Sequence, residues 1–272
     1  MEEWSVGNSA INPSAGMIRI RFSGLERLTP LSAASPRHPV ESEVFLDRAG
    51  CADKPRLLQQ PMARFAILLG GGLSVTPRLL GQLAGARVIA ADRGMIHASV
   101  LGLTPELWVG DFDSAGSELT VQYRHVPRHI HPAEKAETDG GLAIAVALER
   151  GARELILVGG FGGQADHMLG HCGQILQLGK NGLSSFITSG DEEAHPILPG
   201  YLNIDLPARS RISIVPFTDL IGLDLEHVRW PLVKRDVPLG STLTLSNVAH
   251  GRVRIALQAG HAIAIAYPAS AE

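Results

Sequence analysis

The sequence predicts an α/β fold, with an N-terminal parallel-sheet, Rossmann-like domain followed by a C-terminal antiparallel β-sandwich domain. Three observations carry this. Apolar runs alternate with segments of helical period between Met62 and about Gly190, short alternating strands replace them after Gly200, and four of the early apolar runs end on glycines or aspartates. Strands alternating with helices need crossover connections, so their sheet is parallel and covered on both faces.

In chain order, "FAILLGG" (65–71) reads as a buried strand and "TPRLLGQLA" (76–84) as a helix with Pro77 in its first turn. "ARVIAAD" (86–92) is a second strand ending on an acid, followed by "GMIHASVLGL" (94–103) and "ELWVGDFDS" (106–114). Then come a short basic strand near "YRHVPRH" (123–129), the helix "TDGGLAIAVALERG" (138–151) and the strand "ELILVGG" (154–160). The helix "QADHMLGHCGQILQLG" (164–179) and the strand "LSSFITSG" (183–190) complete the alternation. Beyond Gly200, "YLNIDLP", "RISIVPF", "STLTLSN", "GRVRIAL" and "HAIAIAYP" read as antiparallel strands with turns at Pro, Gly and Asn. The expected division is an irregular extension over 1–61, an α/β domain over 62–199 and a β-sandwich over 200–272. Six prolines between Pro13 and Pro61 interrupt the extension, whose one alternating stretch is "MIRIRF"; it is expected to be poorly ordered, or to precede a true start at Met62.

Composition narrows the function. A chain that is 45% hydrophobic and 19% charged, with a formal net charge of -3 and no run of Lys and Arg, has the surface of a small-molecule protein and not of a nucleic-acid binder. Two cysteines, Cys51 and Cys172, make no disulfide framework, and "MEEWSVGNS" has no apolar signal region, so a cytoplasmic protein is expected. No apolar run approaches the roughly 20 residues that span a bilayer, so no membrane role is expected.

In parallel sheets ligands bind beyond the carboxyl ends of the strands. The ends "GGGLS" (70–74), "ADRG" (91–94), "GDFDS" (110–114) and "GGFGGQADH" (159–167) should therefore share one rim, bringing together Asp92, Asp111, Asp113 and Asp166, with Asp139 from the start of a helix. Clustered carboxylates repel one another unless a cation sits among them, and oxygen ligands with nucleotide phosphates suit Mg2+. Each aspartate alone also reads as a turn or cap acid. No G-x-x-x-x-G-K-[ST] is present, which removes the usual phosphate loop. A dinucleotide fingerprint at "GGGLSV" would need a small residue at Val75, and an aspartyl-phosphate phosphatase would open its domain on the D-x-D that two strands precede here.

Four motifs in order, "DFDS" after Gly110, K-x-x-T-D from Lys135 to Asp139, G-G-x-x-D-H from Gly162 to His167 and "LSN" from Leu245 to Asn247, resemble the thiamine pyrophosphokinase family over about residues 64–268. The resemblance implies transfer of a pyrophosphoryl group from ATP to thiamine, with Mg2+ held by Asp111, Asp113 and Asp139 and with Lys135 on a phosphate. It implies that Asp166 orients or accepts the proton of the thiamine hydroxyl, and that Asp92, Thr138 and His167 contact substrate. Trp230 would stack on thiamine, Ser246 and Asn247 would bond its pyrimidine, and the site would lie between the subunits of a homodimer. Phe112, between the two acids, should point away from them into apolar packing. His167 and His171, one helical turn apart, read as capping or loop residues before a zinc pair. His125, His129 and His131 read as surface residues. Departures from the family pattern are "DRGMI" (92–96), Ala136 and Gln164, the last where the family often has arginine. A pterin-alcohol pyrophosphokinase and a non-catalytic ATP-binding regulator are the alternatives.

Overall fold

A computed structural model describes residues 63–112, 116–130 and 137–270. The 1–61 extension, Asp113, His131, Lys135 and Ala136 lie outside the described residues.

The first part alternates as its pattern requires: β1 (Arg64–Leu68), α1 (Pro77–Leu83), β2 (Arg87–Ala91), α2 (Ile96–Val100), β3 (Leu107–Gly110), α3 (Ser117–Gln122) and β4 (Arg128–Ile130). It continues with α4 (Asp139–Glu149), β5 (Glu154–Val158), α5 (Ala165–Lys180) and β6 (Ser184–Thr188). Thr76 caps α1 by accepting from the Leu79 N–H, and Pro77 opens the helix where no amide proton is needed. These strands pair in parallel in the order β6-β5-β1-β2-β3-β4.

Alternate side chains of each strand face opposite layers. Phe65, Ile67, Val109, Leu155 and Leu157 pack with Ala143, Ala147 and Ile175 of α4 and α5. Ala66, Leu68, Trp108 and Ile156 pack with Leu79, Leu83 and Ala98 of α1 and α2. With both faces covered, β1, β2, β3 and β5 are apolar after their first residues, which is why they were legible as runs, whereas the edge strand β4 is exposed.

The sheet does not stop at β6. β7 (Glu193–Ile197) joins it antiparallel, and β13 (Ala262–Tyr267), β9 (Arg211–Pro216) and β12 (Asn247–Leu257) extend the ladder. β12 in turn pairs with β8 (Gly200–Ile204) and with β10 (Leu220–Val228), which pairs with β11 (Leu232–Val237). A third core of Ile204, Ile212, Leu223, Leu225, Val253 and Ile255 fills this part. The molecule is thus a mixed α/β sheet with parallel and antiparallel strands.

Three strands, β7, β10 and β11, went unread in the sequence, and "STLTLSN" is not one. Ser246 has a left-handed φ of 59°, which interrupts extension just before β12 begins at Asn247. β7 hides its identity behind a charge: Glu193 is fully buried, held by Arg78 Nε at 2.5 Å, Gln82 Nε2 at 2.6 Å and His195 Nε2 at 3.0 Å. Burial pushes the Glu193 carboxyl up, but the hydrogen bonds and charges of His195 and Arg78 outweigh it and hold it at about 2. Arg78 also donates to the Asp205 carbonyl at 2.7 Å, tying α1 to the segment after β8. No described helix is long and apolar enough to cross a membrane.

Candidate functional site

β1 lies between β5 and β2, so the chain leaves β1 in one direction and returns on its other side. Loops on the carboxyl ends diverge at such a switch point and open a crevice. A cavity of about 540 Å³ sits there, walled by the loops after β1, β2 and β5 and by the starts of α4 and α5.

Two glycine-rich loops close its floor by backbone pairing. Leu69 N–H donates to Val158 O (2.7 Å), Gly71 N–H to Gly159 O (3.0 Å) and Gly72 N–H to Phe161 O (2.6 Å). A Cβ on Gly71 would overlap the carbonyl oxygens of Gly159 and Phe161, so close approach demands glycine there. Gly159 itself turns with φ 77°. The N–H groups of Gly160 to Gly163 donate to nothing among the described residues, which leaves a row of donors beside the cavity. Successive backbone N–H groups of this kind favour anions.

Behind the floor stands His97, buried on α2, whose Nε2 lies 3.0 Å from Gly71 O. A carbonyl only accepts, so Nε2 carries the proton. Burial pushes the His97 pKa below its usual value, partly opposed by bonds to the Gly71 and Leu69 backbone. His171, buried on the cavity wall, has its pKa lowered by burial, with its Nδ1 2.9 Å from Gln174 Oε1. Neither role was visible in the sequence, because "GMIHASVLGL" shows no periodic reason for its histidine and His171 drew notice only as half of a pair. Among the described residues no three His, Cys, Asp or Glu side chains form a metal cluster. His125 and His129 are exposed.

The described site residues predicted from the sequence divide into three groups: those on the cavity wall, Asp111 and Asp166 at separate element ends off it, and those in the antiparallel part. Asp92, Thr138, Asp139 and His167 line the cavity, together with Arg93 and Gln164. Thr138 caps α4 by accepting from Gly141 N–H at 3.2 Å, which sets Asp139 at the first helical position with its side chain half-buried. Asp111, also half-buried, follows β3 one strand beyond Asp92 and is not part of the wall. Asp166 is exposed on the first turn of α5, where its carboxylate accepts from the His167 N–H at 2.9 Å.

The strand ends carrying these acids are strained. Asp92 and Phe112 have φ of 41° and 64°, left-handed values that side chains disfavour. Trp108 holds the first by donating its indole N–H to Asp92 O at 2.9 Å. Phe112 meets Trp108 edge-on with ring centroids 4.9 Å apart, packed against the core as expected, while the Arg128 guanidinium covers both rings.

Trp230, Ser246 and Asn247 form the third group, in the antiparallel part and apart from the cavity wall. Trp230 is 54% exposed with the Arg229 guanidinium 4.9 Å from its ring centre, Ser246 is exposed, and Asn247 is buried.

Comparison with known proteins gives the family of this fold. The family model for the thiamin pyrophosphokinase catalytic domain matches residues 83–187. A curated thiamine pyrophosphokinase of Bacillus subtilis (strain 168) is 31% identical over 198 residues, covering 70% of this chain and 92% of that protein. The crystal structure of a Bacillus subtilis thiamine pyrophosphokinase superposes with a TM-score of 0.68 at 28% identity, over 76% of this chain and all of the other. A thiamin pyrophosphokinase from Geobacillus thermodenitrificans gives 0.64 at 25% identity over 77% and 99%. The Candida albicans enzyme, 12% identical over 75% of this chain and 89% of its own, shares the fold at 0.64. With these motifs, this cavity and these relatives together, the chain belongs to the thiamine pyrophosphokinase family.

Proposed function

We propose that the chain transfers the pyrophosphoryl group of ATP to the primary alcohol of thiamine, giving thiamine diphosphate and AMP. The observation that carries this is the meeting of Asp92, Asp139 and two glycine-rich loops at one switch-point cavity, in a chain of this family. The alcohol oxygen bonds to the β-phosphorus as the bond from that phosphorus to the AMP oxygen breaks, and the hydroxyl proton passes to a base.

Such a reaction needs positioning and charge neutralisation more than covalent help. The N–H groups from Gly160 to Gly163, which donate to nothing among the described residues, suit phosphate oxygens, and Arg93, the one Arg or Lys among the described residues of the wall, adds a positive charge. Lys135 would act as a further point charge. The carboxylate donor set fits Mg2+: an all-oxygen site with Asp139 on the wall and Asp111 one strand away needs no three-ligand protein cage, because this ion keeps waters and phosphates as ligands. Asp111, Asp113 and Asp139 would hold it, and when bound it would neutralise charge on the transferred group. Asp166 would orient the thiamine hydroxyl and take its proton; its exposure leaves it free to do so.

Trp230 and Ser246 would receive thiamine, with Asn247 beside them, opposite the cavity of a second subunit in a homodimer. Exposed apolar side chains in the antiparallel part, Tyr201, Val233, Leu239 and Leu243, support this, since a surface of that kind is suited to burial against another chain. The cytoplasm, where ATP is available, is the compartment this reading assigns.

The test is AMP formation from ATP and Mg2+ with thiamine, with a hydroxymethylpterin and with no acceptor. AMP released one for one with thiamine diphosphate is expected. AMP with the pterin alone would move the substrate, and ATP binding without AMP would make the protein a regulator.

A further inference from the structure

We infer that Asn247 is a positioning residue, which acts on thiamine through Trp230 and does not bond the ligand with its amide oxygen. The inference rests on the proposed thiamine-binding role of Trp230. Asn247 is 5% exposed, and its amide oxygen and one of its amide N–H groups already have partners. Its Oδ1 accepts from the backbone N–H of Trp230 at 3.1 Å and of Val248 at 2.8 Å, while its Nδ2 donates to the Trp230 carbonyl at 2.8 Å.

Chemistry fixes the orientation of this amide. Two N–H donors require oxygen on one side and a carbonyl requires nitrogen on the other, so no flipped arrangement satisfies all three. Both lone pairs of the oxygen are used, which leaves no acceptor for the amino group of a pyrimidine. The two bonds to Trp230 clamp the N–H and C=O of one exposed residue between β10 and β11.

The clamp is itself anchored. Thr244 Oγ1 donates to Ile214 O at 2.6 Å, Ile214 N–H donates to Thr244 O at 2.9 Å, and Ser246 N–H donates to Ser213 Oγ at 2.9 Å. On the other side Arg229 N–H donates to Val248 O at 2.8 Å. The left-handed Ser246 and the buried Asn247 therefore hold the Trp230 backbone against β9 and β12, so that an exposed ring keeps one place without core packing around it. Pre-setting an aromatic platform in this way lowers the ordering cost of binding.

A double-mutant cycle tests it on the full chain. Trp230→Ala and Asn247→Ala are each expected to raise the KM for thiamine about tenfold, the scale of one lost aromatic contact to a cation, while the KM for ATP holds. If Asn247 acts through Trp230, the double variant is no worse than Trp230→Ala alone; multiplied effects would show a separate contact with thiamine and overturn the inference. Should Asn247→Ala not fold, Asn247→Asp keeps the accepting oxygen and sets a second oxygen against the Trp230 carbonyl, and the same comparison applies. A wild-type protein inactive on thiamine would sink the proposed activity and leave the clamp to be read by emission. The fluorescence difference between the parent and Trp230→Phe isolates Trp230; Asn247→Ala or Asn247→Asp shifts that difference if the clamp is real and leaves it unchanged if it is not.

Discussion

Asp111 and Gly71 show how much rests on single positions. Asp111 is half-buried at the end of β3, beside a strained Phe112, and its replacement by Asn keeps the shape while removing the charge. Turnover is expected to fall about a hundredfold or more, with the melting temperature nearly unchanged. Steady-state rates across a Mg2+ titration, paired with a thermal melt, check this, and an unaltered rate at limiting Mg2+ would remove Asp111 from the metal set. Gly71→Ala is a packing defect of the opposite kind: a methyl group forced onto the Gly159 and Phe161 carbonyls should cost about 1–3 kcal/mol and open the cavity floor. Denaturant unfolding and ATP binding should both register the loss.

At the scale of elements, the junction between α1 and β7 depends on a buried carboxylate. Glu193 is fully buried while Arg78 retains partial exposure, so the two ends of this ion pair are not equivalent. Arg78→Ala leaves the charge with only Gln82 and His195 and is expected to cost about 3 kcal/mol, the low end for a broken buried pair because those two partners remain and Arg78 is partly solvated. Glu193→Gln removes the charge that needs a partner and should cost less. Urea unfolding of the two variants gives the order directly; a more damaging Glu193→Gln would mean that hydrogen-bond geometry outweighs charge at this junction.

For the whole molecule, acid should weaken the fold in two stages. His97 and His171 are held neutral by burial in the folded chain, whereas the unfolded chain takes up their protons near pH 6.5. Their contribution is full above that pH and declines as pH falls through it toward their lower folded values. Glu193 has the same sign but is held charged rather than neutral, a carboxyl whose folded pKa of about 2 lies under its ordinary 4.5. Its contribution is complete above 4.5 and is lost as pH falls from there through about 2. Melting temperatures from pH 8 to pH 3 should show both declines, and His97→Gln should shrink the first. Deletion of residues 1–61 is expected to leave turnover intact, because one short alternating stretch, "MIRIRF", is the only apolar periodicity that segment offers; an inactive or insoluble truncation would show otherwise.

The sequence by itself determined the parallel α/β part, because strands buried on both faces must be apolar throughout and helices between them must show a period of 3.6. It determined the acids at strand ends as well, since Asp92, Asp111 and Asp139 each follow such a run or open a helix. Only the tertiary structure decided which of them share a cavity: strand order sets that, and β5 returning beside β1 puts Asp92 and Asp139 on one wall with Asp111 a strand away. Likewise β7 stayed hidden because its buried glutamate is intelligible only beside Arg78, which lies 115 residues earlier in the chain. His97 was opaque, and the partner of Asn247 was too, although its motif had marked that residue, for the same physical reason. Each does its work through a hydrogen bond to the backbone of a residue distant in sequence, and no local pattern encodes a partner that folding alone brings within 3 Å.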